Sequence, residues 1–99
     1  MRRKIKESPW AQGRDERIAY LINTAPWGGG PTNPQVILLG PEGEDVSETN
    51  LNGTTMVAGD VITTPLVVGL VPGRKYRLKV RWERAGNTLE AWGEILGEE

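Results

Sequence analysis

The segment from Leu70 to Trp82 constrains the fold more than any other part of the chain. It contains a Pro72-Gly73 pair, which predicts a turn. After the turn, apolar residues at Tyr76, Leu78, Val80 and Trp82 alternate with charged residues at Arg77, Lys79, Arg81 and Glu83. A period of two is typical of a β-strand with one buried face and one face in water. The segment therefore predicts a turn followed by a half-buried strand.

Residues 88–96 are predicted to form a second strand, which follows a short Ala85-Gly86-Asn87 turn. The two strands and the turn are expected to form a β-hairpin. We expect Arg84 to lie opposite Asn87. The apolar pairs are then Trp82–Leu89, Val80–Ala91, Leu78–Gly93 and Tyr76–Ile95, and the outer pairs are Arg81–Glu90, Lys79–Trp92 and Arg77–Glu94. Each pair of opposite charges on directly opposed residues contributes roughly 0.2 to 1 kcal/mol to stability. A slip of one residue would break these charge pairs and also turn the apolar side chains away from the core.

Other parts of the chain predict short strands separated by turns, with no helical period. The predicted strands cover residues 16–24, 35–39, 45–49, 54–57 and 61–68, with a bend or an edge position at Pro65. Residues 25–34, rich in Gly and Pro, predict a long loop, and residues 1–15 predict an extended basic arm. Residues 16–99 are long enough for one two-layer core. We therefore predict an all-β chain with a single antiparallel sandwich of about seven strands.

The charges are segregated along the chain, although the net charge is −1. Residues 1–17 contain six Lys or Arg, residues 18–73 contain none, and residues 74–99 contain the other six. The middle carries five acidic residues, namely Glu42, Glu44, Asp45, Glu48 and Asp60. Such a polarised chain suits ordered contacts with neighbouring molecules, although a small β domain also places charges on any strand that faces water.

The residue types favour a protein without catalytic activity. The chain contains no His and no Cys, which removes the commonest general base, the usual zinc ligands and the thiolate nucleophile. The acids of residues 42–48 lie in a short polar segment, which predicts a solvated loop, and their spacing does not fit a calcium loop. Gly28-Gly29-Gly30 is followed by Pro31 and not by the Lys and Ser or Thr of a phosphate loop. We expect no metal, no cofactor and no enzymatic activity.

The N-terminal arm is the first candidate contact segment, with cations at Arg2, Arg3, Lys4 and Lys6. These residues would neutralise phosphates of a nucleic acid, but no stacking platform accompanies them and the chain is slightly acidic. We therefore favour the interpretation that the arm contacts a neighbouring protein or is simply solvated. The start of the chain also lacks an apolar run, so we expect no secretory signal, and no segment reaches the length of a membrane span.

Four tryptophans are a large number for a chain without Phe. Trp82 is predicted to lie in the core. Trp10 and Trp27 follow prolines, where they would cap an end of the fold or contact a partner, and Trp92 is predicted to point outward, with Lys79 over its ring as the alternative to an interface. The candidate interface residues are Arg2, Arg3, Lys4, Lys6, Trp10, Trp27, Arg77, Lys79, Arg81 and Trp92.

The spacing from Leu70 to Tyr76 resembles the tyrosine corner of Ig-like and fibronectin III-like sandwiches, in which the phenol bonds to backbone a few residues upstream. Over its whole length, the chain resembles the small Ig-like proteins encoded in structural gene clusters of tailed bacteriophages and prophages. The segments that carry this resemblance are 6–10 (KESPW), 24–27 (TAPW), 59–65 (GDVITTP), 69–78 (GLVPGRKYRL) and 86–91 (GNTLEA).

The resemblance implies a virion protein without enzymatic activity, which is made in the host cytoplasm. Such a protein decorates the capsid or sits near the head-tail junction, and its partners are capsid or other virion proteins and copies of itself. The alternative function is a carbohydrate or cell-surface binding module, because exposed aromatic rings stack on sugars. Fold similarity alone does not decide between the two.

Overall fold

The computed structural model describes residues 4–99, whose regular structure is almost entirely β-strand. The strands are β1 (Trp10–Gly13), β2 (Leu21–Asn23), β3 (Thr32–Leu39), β4 (Leu51–Asn52), β5 (Met56–Ala58), β6 (Val61–Thr63), β7 (Leu66–Val67), β8 (Lys75–Arg84) and β9 (Asn87–Glu98). A 3-10 helix covers Ala25–Trp27, and one α-helix, α1, covers Ser47–Asn50. The all-β prediction is confirmed.

The strands form a mixed sheet and two antiparallel sheets, so the prediction of an antiparallel fold is wrong for the pair β1–β9. The largest sheet has the order β1-β9-β8-β3, in which β1 runs parallel to β9 and the other pairs are antiparallel. A second sheet has the order β2-β6-β5, and β4 pairs with β7. A bridge from Ile18 to Val67 extends the β2 side toward β7. None of the helices in residues 4–99 is long and apolar enough to cross a membrane.

The β8–β9 hairpin has the predicted register at every pair. Arg84 lies opposite Asn87, Trp82 opposite Leu89 and Tyr76 opposite Ile95. The two loop residues Ala85 and Gly86 both have positive φ, at 50° and 79°, which is the backbone that a two-residue hairpin turn requires. The inward side chains of β8 are buried and the outward ones are exposed or half-buried, so the alternation is confirmed as well.

One cluster of buried side chains forms the core and contains residues from both larger sheets. Its fully buried members include Leu38, Leu78, Val80 and Trp82 from the four-stranded sheet and Ile22 and Ile62 from the three-stranded sheet. The core therefore lies where these two sheets meet. Each buried Val, Leu or Ile side chain contributes about 1.5 to 3 kcal/mol relative to an exposed one.

The predicted corner is present. Tyr76 is only 5% exposed, and its hydroxyl accepts a hydrogen bond from the Val71 N–H at 3.0 Å. The same corner contacts the end of β9, because the Gly73 N–H donates to the Gly97 carbonyl at 2.8 Å. A side-chain carbon at Gly97 would collide with the Val71 carbonyl, so the close approach requires glycine there.

The N-terminal segment differs from the prediction. The prediction that residues 1–15 form an arm outside the folded domain is wrong over Trp10–Gly13, because this segment is a strand that pairs with β9. Ile5 is 2% exposed, belongs to the core and donates its N–H to the Trp92 carbonyl at 2.7 Å. The described part of the arm therefore packs with residues 16–99. Arg2 and Arg3 lie outside the described residues.

The segment after β3 was predicted as a strand over residues 45–49, which is also wrong. Asp45 makes a single bridge to Leu39, and α1 follows at once. The Ser47 N–H donates to Asp45 Oδ1 at 2.9 Å, and Ser47 Oγ accepts from the Leu38 N–H at 2.9 Å. The Ser47 hydroxyl and N–H also lower the pKa of the Asp45 carboxyl. These side-chain bonds to backbone compete with strand pairing and stabilise a turn instead.

Smaller differences concern strand length. The predicted loop 25–34 ends earlier, because β3 begins at Thr32 with an irregular register before Gln35. Of the predicted strand 16–24, only Leu21–Asn23 is regular, although Ile22 is buried and Leu21 is 64% exposed as the alternation predicts. The predicted strand 54–57 is observed only in part, because β5 covers Met56–Ala58, and residues 51–52, predicted to lie in a turn, form β4. The predicted interruption at Pro65 is confirmed, since it separates β6 from β7.

We predict that Tyr76→Phe lowers the free energy of unfolding by about 0.5 to 1.5 kcal/mol, the net worth of one hydrogen bond. The Val71 N–H loses its acceptor while the ring stays in place. Chemical denaturation of the two proteins measures the difference. An unchanged midpoint would mean that water replaces the bond at no cost.

We also predict that Ile5→Ala destabilises the domain by about 2 to 5 kcal/mol, because it removes a buried side chain from the core. Lys6→Ala is the matched control, since Lys6 is the exposed neighbour and its substitution should change stability by less than about 0.5 kcal/mol. Thermal denaturation of both variants gives the comparison. Equal stabilities would show that the N-terminal segment does not contribute to the fold.

Candidate interaction site

The outward side chains of β3, β8 and β9 form one continuous surface, which we call the Trp92 face. Three cross-strand rows make up the face, namely Glu90–Arg81–Gln35, Trp92–Lys79–Ile37 and Glu94–Arg77–Leu39. Lys4 adds to the central row through its bridge with Trp92. The alternation of the hairpin therefore puts an aromatic ring in the middle row, with charged residues on both sides.

Trp92 is half-buried and lies against two cations. The guanidinium carbon of Arg77 is 4.3 Å from the centroid of the indole ring, and the ammonium of Lys4 is 5.3 Å from it. Both distances lie within the range of a cation-π interaction. The ring is thus held in a defined position on the face.

The alternative in which Lys79 lies over the Trp92 ring is not the arrangement observed. Lys79 lies directly opposite Trp92, but its Nζ is 3.7 Å from Glu90 Oε2. Arg81 Nη2 is 3.4 Å from the same carboxylate oxygen. The Glu90 carboxylate draws both cations toward one end of the face, so the ring contacts Arg77 instead. The side chains of these pairs are partly exposed, and each pair contributes only about 0 to 1 kcal/mol.

The face combines apolar area with charges of both signs. Ile37 and Leu39 are half-buried on β3, two strands from Trp92, and Glu90 and Glu94 lie opposite cations of β8. Such a surface can bind a protein by apolar contact at the ring and by ion pairs around it. In residues 4–99, no group of three or more His, Cys, Asp or Glu is arranged to hold a metal ion.

Trp10 does not join the Trp92 face. Its ring lies 4.6 Å from the ring of Tyr20, and a side-chain carbon at Gly93 would meet it at 2.8 Å. The Tyr20 hydroxyl donates to Gln12 Oε1 at 2.7 Å, and Gln12 Nε2 donates to the Val67 carbonyl at 2.7 Å. Trp10 therefore packs over this buried network. Burial raises the pKa of Tyr20 from 10.0 to about 12, with the negative charge of Glu16 adding to the effect.

Trp27 lies half-buried at another place, 5.7 Å from the ring of Trp82. Trp82 is fully buried, as predicted. Trp27 also borders a cleft of about 310 Å³, which we call the Trp27 cleft. The lining residues are Lys4, Ile5, Lys6, Glu7, Asn23, Pro26 and Trp27.

The glycine-rich loop is occupied by a side chain of the protein itself. The Gly30 N–H donates to Asp60 Oδ1 at 3.0 Å, and a side-chain carbon at Gly29 would collide with the Asp60 carboxylate. In the acidic segment, Glu44 Oε1 accepts the Glu42 N–H at 2.9 Å. The acidic segment thus forms a local turn, whereas the glycine-rich loop is held by a side chain that is distant in sequence.

The structure thus brings together some of the predicted residues and separates others. Arg77, Lys79, Arg81 and Trp92 share one face, and Lys4 connects this face to the Trp27 cleft, where Lys6 also lies. The sequence reasoning missed Ile37 and Leu39, because only the non-local pairing of β3 with β8 places them on the face. No known protein-family model and no curated protein matches this chain.

We predict that stability decreases as the pH rises from about 10 to about 12, because the folded state keeps the Tyr20 proton after the unfolded chain has lost it. The contribution of Tyr20 to the free energy of unfolding is complete below the ordinary pKa of tyrosine. Above that pKa it falls by up to about 1.4 kcal/mol per pH unit. Tyr20→Phe is the control, since it should remove this part of the pH dependence. Denaturation at several pH values measures it, and identical profiles for the two proteins would contradict the prediction.

Proposed function

We propose that this chain is an Ig-like β-sandwich that serves as a structural protein of a tailed-bacteriophage or prophage particle, without enzymatic activity. It would decorate the capsid or sit near the head-tail junction, and the Trp92 face would make the contacts with other virion proteins. One observation carries the proposal: the half-buried Trp92 ring contacts the cations of Arg77 and Lys4 in the central row of an outward sheet face.

The strand arrangement supports the Ig-like part of the proposal. The β2-β6-β5 sheet and the β1-β9-β8-β3 sheet share one core, as the two layers of a sandwich do. The Tyr76 hydroxyl bond to Val71 at the turn before β8 is the arrangement of a tyrosine corner. The function rests in addition on the resemblance of the sequence, because a fold hosts many functions.

The composition of the Trp92 face favours a protein as the partner. Interfaces between proteins are enriched in Trp and Arg, and the residues with the largest effect lie near the centre of the contact. Trp92 occupies the central row of the face, and Arg77 and Arg81 lie in the rows on its two sides. A sugar would need a free aromatic ring face, whereas the Arg77 guanidinium already lies over the indole. The carbohydrate-binding alternative is therefore less favoured.

We predict that Trp92→Ala weakens binding to particles assembled from the neighbouring structural genes by about ten- to a hundred-fold, because it removes the central aromatic group. Leu21→Ala is the matched control, since Leu21 is an exposed apolar residue of β2 in the other sheet. Co-sedimentation measures binding, and circular dichroism verifies that both variants fold.

The particle itself supplies a second measurement. Mass spectrometry of purified virions should detect the chain as a component. Its absence from virions, or equal binding of the Trp92→Ala variant and the unmodified protein, would contradict the proposal. Binding of the isolated domain to glycans, with loss of that binding in Trp92→Ala, would favour the carbohydrate-binding function instead.

A further inference from the structure

The Trp27 cleft lies between the N-terminal segment and the 3-10 helix that follows β2. One wall is formed by Lys4, Lys6 and Glu7, and the other by Asn23, Pro26 and Trp27. These two segments are distant in sequence and are brought together by the pairing of Lys4 and Ile5 with Trp92. At about 310 Å³, the cleft is large enough for one or two side chains of a bound molecule.

Both walls are held in place by contacts with the core. Ile5 is buried, which fixes the backbone between the two lysines. On the opposite wall, Trp27 packs 5.7 Å from Trp82. The Ala25 N–H donates to Asn23 Oδ1 at 3.0 Å, so the turn before Trp27 is fixed as well. The cleft is thus formed before any ligand binds, which lowers the entropic cost of binding.

The cleft presents positive charge that residues 4–99 do not neutralise by ion pairs. Lys4 and Lys6 are exposed and flank the buried Ile5, and neither forms an ion pair within residues 4–99. In contrast, Lys79 and Arg81 on the neighbouring face share the Glu90 carboxylate. Glu7 is the single acidic residue of the cleft lining.

We propose that the Trp27 cleft binds an acidic peptide segment of a partner protein. The carboxylates of that segment contact Lys4 and Lys6, and an apolar side chain packs against Trp27. A peptide is the favoured ligand because Lys4 belongs both to the cleft and to the contact with Trp92, so the two surfaces are continuous. This inference rests on the proposed function, since it extends the same protein contact from the Trp92 face into the cleft.

The test is an NMR titration of the ¹⁵N-labelled domain with the acetylated, amidated peptide EDPLDE. We expect saturable shifts of the Trp27 indole N–H and of the backbone amides of residues 4–7. The double variant Lys4→Gln/Lys6→Gln should weaken binding about three- to thirty-fold, the effect of losing two partly exposed ion pairs. High salt should weaken it in the same direction.

Two controls make the result specific. The double variant Arg17→Gln/Lys75→Gln removes the same charge at exposed positions outside the cleft lining, and it should leave peptide binding unchanged. The basic peptide KKPLKK should not shift the cleft signals. Circular dichroism verifies that each variant folds.

Several results would overturn the proposal. These are no saturable shift at the cleft, equal shifts with KKPLKK, or equal binding by the Lys4→Gln/Lys6→Gln variant. Binding of tetragalacturonate but not of EDPLDE would show that the cleft recognises a carboxylated sugar. The titration uses the isolated domain, so its failure is separate from failure of the proposed function. If Trp92→Ala loses particle binding but the unmodified domain does not bind the peptide, the virion contact is retained and the cleft proposal is rejected.

Discussion

The pairing of β8 with β9 is the interaction on which the rest of the structure depends. Its register decides that Leu78, Val80 and Trp82 point into the core while Arg77, Lys79 and Arg81 point outward. Both remaining strands of the large sheet, β1 and β3, pair directly with this hairpin. A shift of one residue would therefore disrupt the core and the Trp92 face together.

The N-terminal segment is joined to this hairpin by contacts of a different kind. Few apolar side chains are available there, and the buried Gln12 takes a central place. Its amide oxygen accepts from Tyr20 and its amide nitrogen donates to the carbonyls of Glu16 and Val67, so this network connects β1 to the side of the molecule that carries β2 and β7. A buried amide without hydrogen-bond partners destabilises the fold. With its partners it specifies one arrangement of the surrounding segments, because only that arrangement satisfies its hydrogen bonds. The same segment then positions Lys4 beside Trp92.

The parts of the fold that depend on neighbouring residues could be predicted from the sequence. The hairpin and the Tyr76 corner are encoded within a few residues of each other, through alternation, turn residues and opposite charges. The pairing of Lys4 with Trp92 joins the two ends of the chain, and a single Ile5 between lysines shows no period that would reveal it. The helix at Ser47 forms because its hydroxyl bonds to Leu38, a tertiary contact that strand propensity does not express. The Trp27 cleft depends on the pairing of Lys4 and Ile5 with Trp92 and on the packing of Trp27 against Trp82, which are both non-local, so it was not predictable from the sequence.

Gly93 links the interior and the edge of the large sheet in a way that affects how the sequence can vary. A side-chain carbon there would lie 2.8 Å from Cζ3 of Trp10 and 3.1 Å from Cβ of Ser8. The indole of Trp10 therefore fills the volume that any larger residue at Gly93 would need. The side chains at positions 10 and 93 compete for the same volume. We therefore expect a larger residue at 93 to be tolerated only together with a smaller one at 10. In a lineage of related chains, this would appear as correlated substitution between the first strand and the last.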